Sequence, residues 1–288
     1  MPELPEVETT LRGIQSHILN KKIDEVDIRQ PNLRWKVPVR LIQKNLIGES
    51  FSLIRRRAKY LIFESLTGNL IIHLGMSGTI HLLDKNNSIN NTNSSFYNSP
   101  NLPSKHNHIE IFLKKCRLIY NDPRRFGFIK IFKNKKTLLK FFNNIGPEPL
   151  NKKFNKNYIF DYFINKKKNI KSFLLDQKFV SGIGNIYASE ILFDSKISPY
   201  TKGKDLNTHQ LTRLIKSIRK ILVKAIKYGG STIRDYASSD GTLGNFQSNF
   251  FVYNKEGKNI SKFAIKKVIQ YGRSTYYCPE LQKEQKRK

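Results

Sequence analysis

Acidic residues, cysteines and long apolar runs are all scarce in this chain. Its 288 residues carry 22 Asp and Glu against 52 Lys and Arg, a formal net charge of +30. A field of that sign concentrates polyanions and speeds their encounter, so nucleic acid is the first class of partner to consider and an anionic membrane surface the second. Drift toward Lys- and Asn-rich codons accounts for part of the total, but not for where Arg sits. No stretch approaches the ~18 apolar residues of a membrane span. The first residues bear acids where an export signal needs basic ones, so export is not expected. Cys116 and Cys278 are the only cysteines. They suggest no disulfide framework, and a reduced cytosol fits. What remains is enough for a folded protein: 39% hydrophobic residues, 19 Phe, and a length that suits one large or two ordinary domains.

Residues 5–18 read as a helix. Val7, Leu11, Ile14 and Ile18 share one face, Pro5 suits the first turn, and Glu6 and Glu8 complement the positive helix end. From about 22 to 132 the pattern is of short strands punctuated by Gly, Pro and Asn, as in "FSLIRRRAKYLIF" and "RLIYNDPRRFGFIKIF". Residues 86–99, "NNSINNTNSSFYNS", form a polar low-complexity insert. "NNIGPEPLNKKF" (143–154) reads as a connector. Beyond it the pattern is helical: Leu211, Leu214, Ile218, Leu222 and Ile226 mark a long amphipathic helix ended by Gly229-Gly230. Residues 248–281 return to strand-like aromatic and β-branched composition.

The opening "MPELPEVE" allows a specific chemistry. Excision of Met1 leaves Pro2 with a free secondary amine. An α-amine has a pKa near ~8, so part of it is neutral and nucleophilic at neutral pH. Attack on a sugar aldehyde carbon gives an iminium whose fixed charge acidifies the adjacent C–H. Glu3 is next door and can move a proton as general acid or base. Many chains begin Met-Pro without consequence, so the pair is weak evidence alone. Four further segments add to it: "RRRAKY" (55–60), which sets Lys59 in a strand pattern; "HLGMSG" (73–78), which sets Met76 on a Gly-flanked turn; "NDPRRFG" (121–127), with Arg124, Arg125 and Phe126 on a tight turn; and "SGIGNIYASE" (181–190), a Gly-rich turn opening into a helix near Asn185.

Taken together these segments resemble the formamidopyrimidine-DNA glycosylases, bacterial base-excision repair enzymes for oxidised purines. The resemblance runs essentially end to end, apart from 86–99 and part of the tail. Endonuclease VIII-like relatives typically begin Pro-Glu-Gly, so "PELPEVE" with "DPRRFG" favours the purine branch. The resemblance implies an α+β fold: an N-terminal β-sandwich with a flanking helix over 1–134, a connector over 135–154, a helix–two-turns–helix DNA-binding domain with a lesion-recognition loop over 155–247, and a terminal β-hairpin finger over 248–283. It implies a catalytic set of Pro2, Glu3, Lys59 and Arg273, the last two holding phosphates. It implies DNA contacts from Met76, His106, Arg124, Phe126, Lys166 and Asn185. The residue types suit the work. A base to be excised must leave the stack, apolar Met76 and Phe126 can wedge into the gap, and a guanidinium can stack on and donate to the orphaned base. A helix N-terminus near Asn185, reached through Gly182 and Gly184, suits phosphate. His73 reads as a hydrogen-bonded structural histidine. "GGSTIRDYASSDGTLGNF" (229–246) matches the lesion-recognition loop.

The pattern breaks at the end of the chain. The family usually closes with a zinc finger of two C-x2-C pairs. Here Cys278 stands alone, Leu281 takes the other closing position, and neither Cys nor His lies between 252 and 277. One thiolate cannot hold a tetrahedral site, so no zinc and no other cofactor are expected. The expected substitute is a zincless hairpin packed by Ile260, Phe263, Ile265, Val268 and Leu281. The sequence therefore predicts a monomeric bifunctional DNA glycosylase and abasic-site lyase of the bacterial cytosol and nucleoid, acting on duplex DNA with damaged purines such as 8-oxoguanine. Alternatives are a DNA-binding protein that has lost catalysis, or an endonuclease VIII-like pyrimidine specialist.

Overall fold

The structure is a computed structural model that describes residues 1–84, 104–231 and 246–284. The insert 86–99 and most of the 229–246 loop lie outside the described residues. The chain forms two compact units, Met1–Asn143 with Ala225–Gln247, and Asn144–Lys224 with Ser248–Lys288.

The first unit opens with α1 (Leu4–Ile18), whose start is fixed by local chemistry. Glu3 is the N-cap; its side chain accepts the Glu6 amide, and the Glu6 carboxylate accepts the Glu3 amide at 2.9 Å. This reciprocal capping box satisfies two otherwise orphaned donors. Leu4, Val7, Leu11, Ile14 and Ile18 are buried at helical spacing. There follow β1 (Ile23–Ile28), α2 (Val39–Leu46), β2 (Leu53–Arg57), β3 (Tyr60–Glu64), β4 (Asn69–His73), β5 (Thr79–Asp84), β6 (Asn107–Leu113), β7 (Cys116–Asn121), β8 (Phe128–Phe132) and α3 (Lys135–Phe142). The strands make two antiparallel four-stranded sheets, ordered β1-β6-β7-β5 and β2-β3-β4-β8. Period-two pairs face inward from both: Ile80 and Leu82, Ile109 and Ile111 from one sheet, Leu61 and Phe63, Leu70 and Ile72, Ile129 and Ile131 from the other. Each fully buried aliphatic side chain contributes about 1.5–3 kcal/mol.

Part of the span expected to be connector is instead structured. α3 packs on β8, and Phe141 and Phe142 meet the Tyr60 ring edge-on at 5.7 and 5.3 Å. Two adjacent aromatics bring the helix down onto the sheet, and the first unit extends to Asn143.

The second unit carries α4 (Lys156–Phe163), α5 (Ile170–Leu175), α6 (Asn185–Asp194) and most of α7 (Thr208–Lys227). Asn155 and Asn169 cap α4 and α5 by accepting the Tyr158 and Ser172 amides. Leu211, Leu214, Ile218 and Leu222 of α7 are buried. Gly229 and Gly230, at φ of 75° and 78°, end that helix, with the Gly230 amide bonded to the Ala225 carbonyl at 2.8 Å. The described parts of 225–247 belong to the first unit rather than to a helical domain running to 247. Residues 248–284 group with the second unit. They carry two small hairpins, β9 (Asn259–Ile260) with β10 (Phe263–Ala264) and β11 (Lys266–Gln270) with β12 (Arg273–Tyr277), which join the second unit. Of the five residues expected to pack the finger, only Ile265 is buried and Ile260 flanks it; the cluster is completed by Val252 and Tyr276, with Tyr253 and Phe193 against it.

Candidate functional site

Pro2 and Glu3 are both buried at the head of α1, behind an exposed Met1. Glu6 organises this end. Its Oε2 accepts the Glu3 amide at 2.9 Å, and its Oε1 accepts the Ser231 amide at 2.8 Å and the Ser231 hydroxyl at 3.0 Å. One carboxylate thus ties the predicted catalytic dipeptide to the residue at which the 229–246 loop leaves α7. Gly230 is required there: a Cβ would lie 3.0 Å from Glu6 Oε1, and its φ is left-handed.

Lys59 is not on a strand, as its surroundings suggest, but in the turn between β2 and β3. Ala58 takes φ 54°, its carbonyl accepting Arg56 Nη1 at 2.9 Å. The turn buries Lys59 to 6% exposure. Arg56 also pairs with Glu8 at 2.9 Å, so α1 and the Lys59 hairpin are held together by a mostly buried ion pair.

Met76, Arg124 and Phe126 come from two turns that meet backbone to backbone. A Cβ on Gly75 would lie 2.3 Å from the Gly127 nitrogen, and one on Gly127 would lie 1.9 Å from the Tyr120 hydroxyl. Only glycine permits that approach. The buried Asp122 carboxylate is the hub. Oδ1 accepts from Ser77 Oγ at 2.6 Å, and Oδ2 accepts from Tyr120 OH and the Gly127 amide, both at 2.9 Å. Ser77 Oγ in turn accepts the Arg124 amide at 3.3 Å. His106 joins the group through its carbonyl, which accepts the Asp122 amide at 3.1 Å. The turns leave Met76 38% and Phe126 45% exposed, which fits a wedge and not core packing. The Arg124 guanidinium lies 4.7 Å over the Phe126 ring.

His73 braces the Met76 turn. Its Nδ1 accepts the Gly75 amide at 3.1 Å and its ring stacks on Phe128. Burial, with the charges of Lys59 and Arg34, pushes its pKa down to about 4, so it is neutral at pH 7. This is the structural histidine that the sequence suggests. Burial, followed by the Lys105 and His108 charges, also lowers His106.

The other three expected residues lie in the second unit. Lys166 is exposed in the loop after α4. Asn185 is the first residue of α6, after Gly182 at φ 85°. Its side-chain amide is already committed, donating to the Ser274 carbonyl at 2.9 Å. Arg273 is exposed at the start of β12, after a two-residue turn at Tyr271 (φ 52°) and Gly272 (φ 71°). A residue the sequence did not single out, Lys171, fixes that turn. It is 1% exposed, and its ammonium donates to the Ser274 carbonyl at 3.0 Å and to Thr275 Oγ1 at 2.6 Å. Burial and the nearby Arg273 charge lower its pKa to about 8. Asp122, beside Pro123 in a tight turn, carries a sequence signal, whereas Lys171 follows the Lys-rich run 166–168 and carries none.

Comparison with known proteins identifies the family. Residues 1–129 match the formamidopyrimidine-DNA glycosylase N-terminal domain, and residues 145–237 match the formamidopyrimidine-DNA glycosylase H2TH domain. The chain is 40% identical to the formamidopyrimidine-DNA glycosylase of Psychromonas ingrahamii and 42% identical to that of Zymomonas mobilis, in each case over 98% of this chain and 100% of the relative. Among solved structures it is similar to a Lactococcus lactis Fpg variant in complex with Fapy-dG containing DNA, at 35% identity, and to L. lactis Fpg in complex with an abasic site containing DNA, at 34%. Both give a TM-score of 0.85 over 98% of this chain and all of the other. With both domain models matched and full-length relatives at two-fifths identity, the chain belongs to the formamidopyrimidine-DNA glycosylase family.

Proposed function

We propose that this protein excises oxidised purines from duplex DNA through a covalent bond to Pro2, and then cleaves the strand as a lyase. Glycosylase action in base-excision repair follows from family membership. The Pro2 mechanism and the lyase step rest on the observation that carries the reading: a Pro-Glu pair at the head of α1, with Glu3 in a capping box and Lys59 buried on the neighbouring hairpin.

Removal of Met1 frees the Pro2 nitrogen. That nitrogen bonds to C1′ as the glycosidic C–N bond breaks, and the departing base takes up the proton that the new ammonium gives up. The sugar ring opens as protonated Glu3 passes its proton to O4′, and an iminium forms between Pro2 and C1′. Loss of a C2′ proton expels the 3′ phosphate, loss of a C4′ proton expels the 5′ phosphate, and water then releases Pro2. Lys59 and Arg273 meet phosphates, where cationic donors complement the backbone. Met76, Arg124 and Phe126 fill the gap left by the extruded nucleotide, and His106, Lys166 and the α6 N-terminus at Asn185 contact the phosphate chain. The α6 contact relies on backbone N–H groups, since the Asn185 amide serves Ser274. Among the described residues no helix is long and apolar enough to cross a membrane, and an enzyme of chromosomal DNA belongs in the bacterial cytosol.

Borohydride trapping on an 8-oxoguanine duplex tests the mechanism. A stable protein–DNA adduct is expected from wild type, with very little from Pro2→Gly. Full cleavage activity with Met1 retained, as read by intact mass, refutes the Pro2 mechanism. Binding should also weaken steeply with salt through counterion release.

A further inference from the structure

The family resemblance implies a four-cysteine zinc finger at the end of the chain, and the residues present do not fit one. Residues 248–288 contain Cys278 and no other cysteine or histidine. Cys278 is buried with its Sγ 3.6 Å from Glu280 Oε2, and its amide donates to Gln282 Oε1 at 2.8 Å. Among the described residues no group of three or more His, Cys, Asp and Glu could hold a metal ion. A tetrahedral zinc needs four such donors.

A different device closes the same segment. Glu190 of α6 is fully buried. Its Oε2 accepts the Phe251 amide at 2.8 Å, and its Oε1 accepts the Val252 amide at 2.9 Å and the Tyr253 amide at 2.8 Å. Three consecutive N–H groups converging on one anion form a nest, here filled by a side chain of the same protein. A buried carboxylate is costly unless hydrogen-bonded in this way. Burial pushes the Glu190 pKa up, and the three amides and Lys255 pull it back. Around the nest Val252, Ile265 and Tyr276 form a small core, with the Tyr253 ring 5.1 Å from Tyr276 and Phe251 stacked on Phe193 at 5.5 Å. At the far end Gln282, 1% exposed, donates to the Ile197 carbonyl at 2.9 Å. The segment is thus pinned to the helical part of its own unit at both ends, with the Arg273 turn between the pins.

We propose that the finger is metal-independent and that Glu190 takes over the metal's structural role. A metal cation gathers thiolates; here a carboxylate anion gathers backbone amides, and the Arg273 turn is presented without zinc. The functional consequence rests on the glycosylase reading above: lesion cleavage by this protein is indifferent to zinc and to chelators.

The test combines metal analysis and hydrogen exchange on the full chain, with cleavage assayed in parallel. Wild type, as purified, should carry no stoichiometric zinc. Its exchange protection over 251–253 and its cleavage rate should be unchanged by a strong chelator. Glu190→Ala should lower protection of those amides on the order of 100-fold, and Glu190→Gln, which keeps the Oε1 acceptor, by about 10-fold, because each charge-assisted bond to a buried group counts strongly. Added zinc should restore neither. One zinc per chain, loss of protection on chelation, or unaltered protection in Glu190→Ala overturns the proposal. Should Glu190→Ala fail to fold, the chelator arm and Glu190→Gln still decide. Loss of lesion cleavage in an untreated wild type would refute the enzyme reading alone, since metal content and exchange are read without DNA.

Discussion

The Asp122 turn of the first unit and the Tyr271–Gly272 turn of the second each present exposed side chains proposed to meet DNA, and each is built around a buried ion. At Asp122 a carboxylate collects donors: two hydroxyls and the Gly127 amide. At Arg273 the ammonium of Lys171 collects acceptors: the Ser274 carbonyl and Thr275 Oγ1. The first hub sits among neutral donors. The second is a cation placed beside another cation, Arg273, which adds repulsion to its desolvation. A wedge must resist the stack it enters, and there the glycine contacts at Gly75 and Gly127 leave no room to relax. The Arg273 turn is a hairpin tip, held through hydrogen bonds from Lys171 and Asn185 to the Ser274 carbonyl rather than by backbone clash. The difference predicts unequal consequences when each hub is removed.

The largest effect should come from Asp122→Ala. Ser77 Oγ, Tyr120 OH and the Gly127 N–H lose a shared buried acceptor, at a cost on the order of 3–5 kcal/mol. Denaturant unfolding measures it, and lesion cleavage should fall with it. Asp122→Asn, which retains one carbonyl acceptor, should lose less. Wild-type stability in Asp122→Ala would show that the carboxylate is no hub. Lys171→Met should behave differently. It gives up two hydrogen bonds but also relieves a buried ammonium of its desolvation and of the Arg273 charge, so net stability should change by no more than about 1 kcal/mol. Cleavage should nonetheless drop at least as far as in Arg273→Ala, because the turn loses its orientation. A Lys171→Met protein that cleaves like wild type would remove the second half of the comparison.

Much of this was legible in the sequence, and the parts that were not have common causes. The α1 face of Val7, Leu11, Ile14 and Ile18 is set by local periodicity, and the strands of the sandwich by alternation, so both can be read directly. The exposed turns at Met76 and Phe126 announce themselves through Gly and Pro. The sequence reads Lys59 as strand because its turn depends on Ala58 at φ 54°, a conformation that no Gly or Asn advertises. Lys171 and Glu190 read as solvated faces of their helices, since a charge is outside by default; their partners, Ser274 and Phe251–Tyr253, lie 103 and 61–63 residues away in sequence. The finger core is likewise illegible locally: Val252, outside both hairpins, meets Ile265 and Tyr276 through tertiary packing that no local pattern marks.

The sharpest contrast between the two units should appear on titration. In the first unit burial holds His73 down to about 4 and His81 down to about 3, from an ordinary 6.5. Below 6.5 the unfolded chain takes up protons that the folded unit refuses. Stability therefore falls as pH drops from 6.5 toward 4, and is fully present above 6.5. In the second unit Lys171 is lowered from 10.5 to about 8. Between those values the unfolded chain again holds the extra proton, so stability rises with pH from about 8 to 10.5. Tyr158 and Tyr277, pushed up mainly by burial from 10 to about 12, act oppositely above pH 10 and take part of that gain back. Amide exchange resolved by segment separates the units: acid should loosen β4 and the Met76 turn first, while mild alkali should tighten the Arg273 hairpin. His73→Asn should make the acid limb shallower in the first unit alone, leaving the part due to His81, and Lys171→Met should flatten the alkaline rise in the second alone. If both variants altered the same limb, His73 and Lys171 would not be titrating independently, and burial of these two groups would no longer explain the contrast between the units.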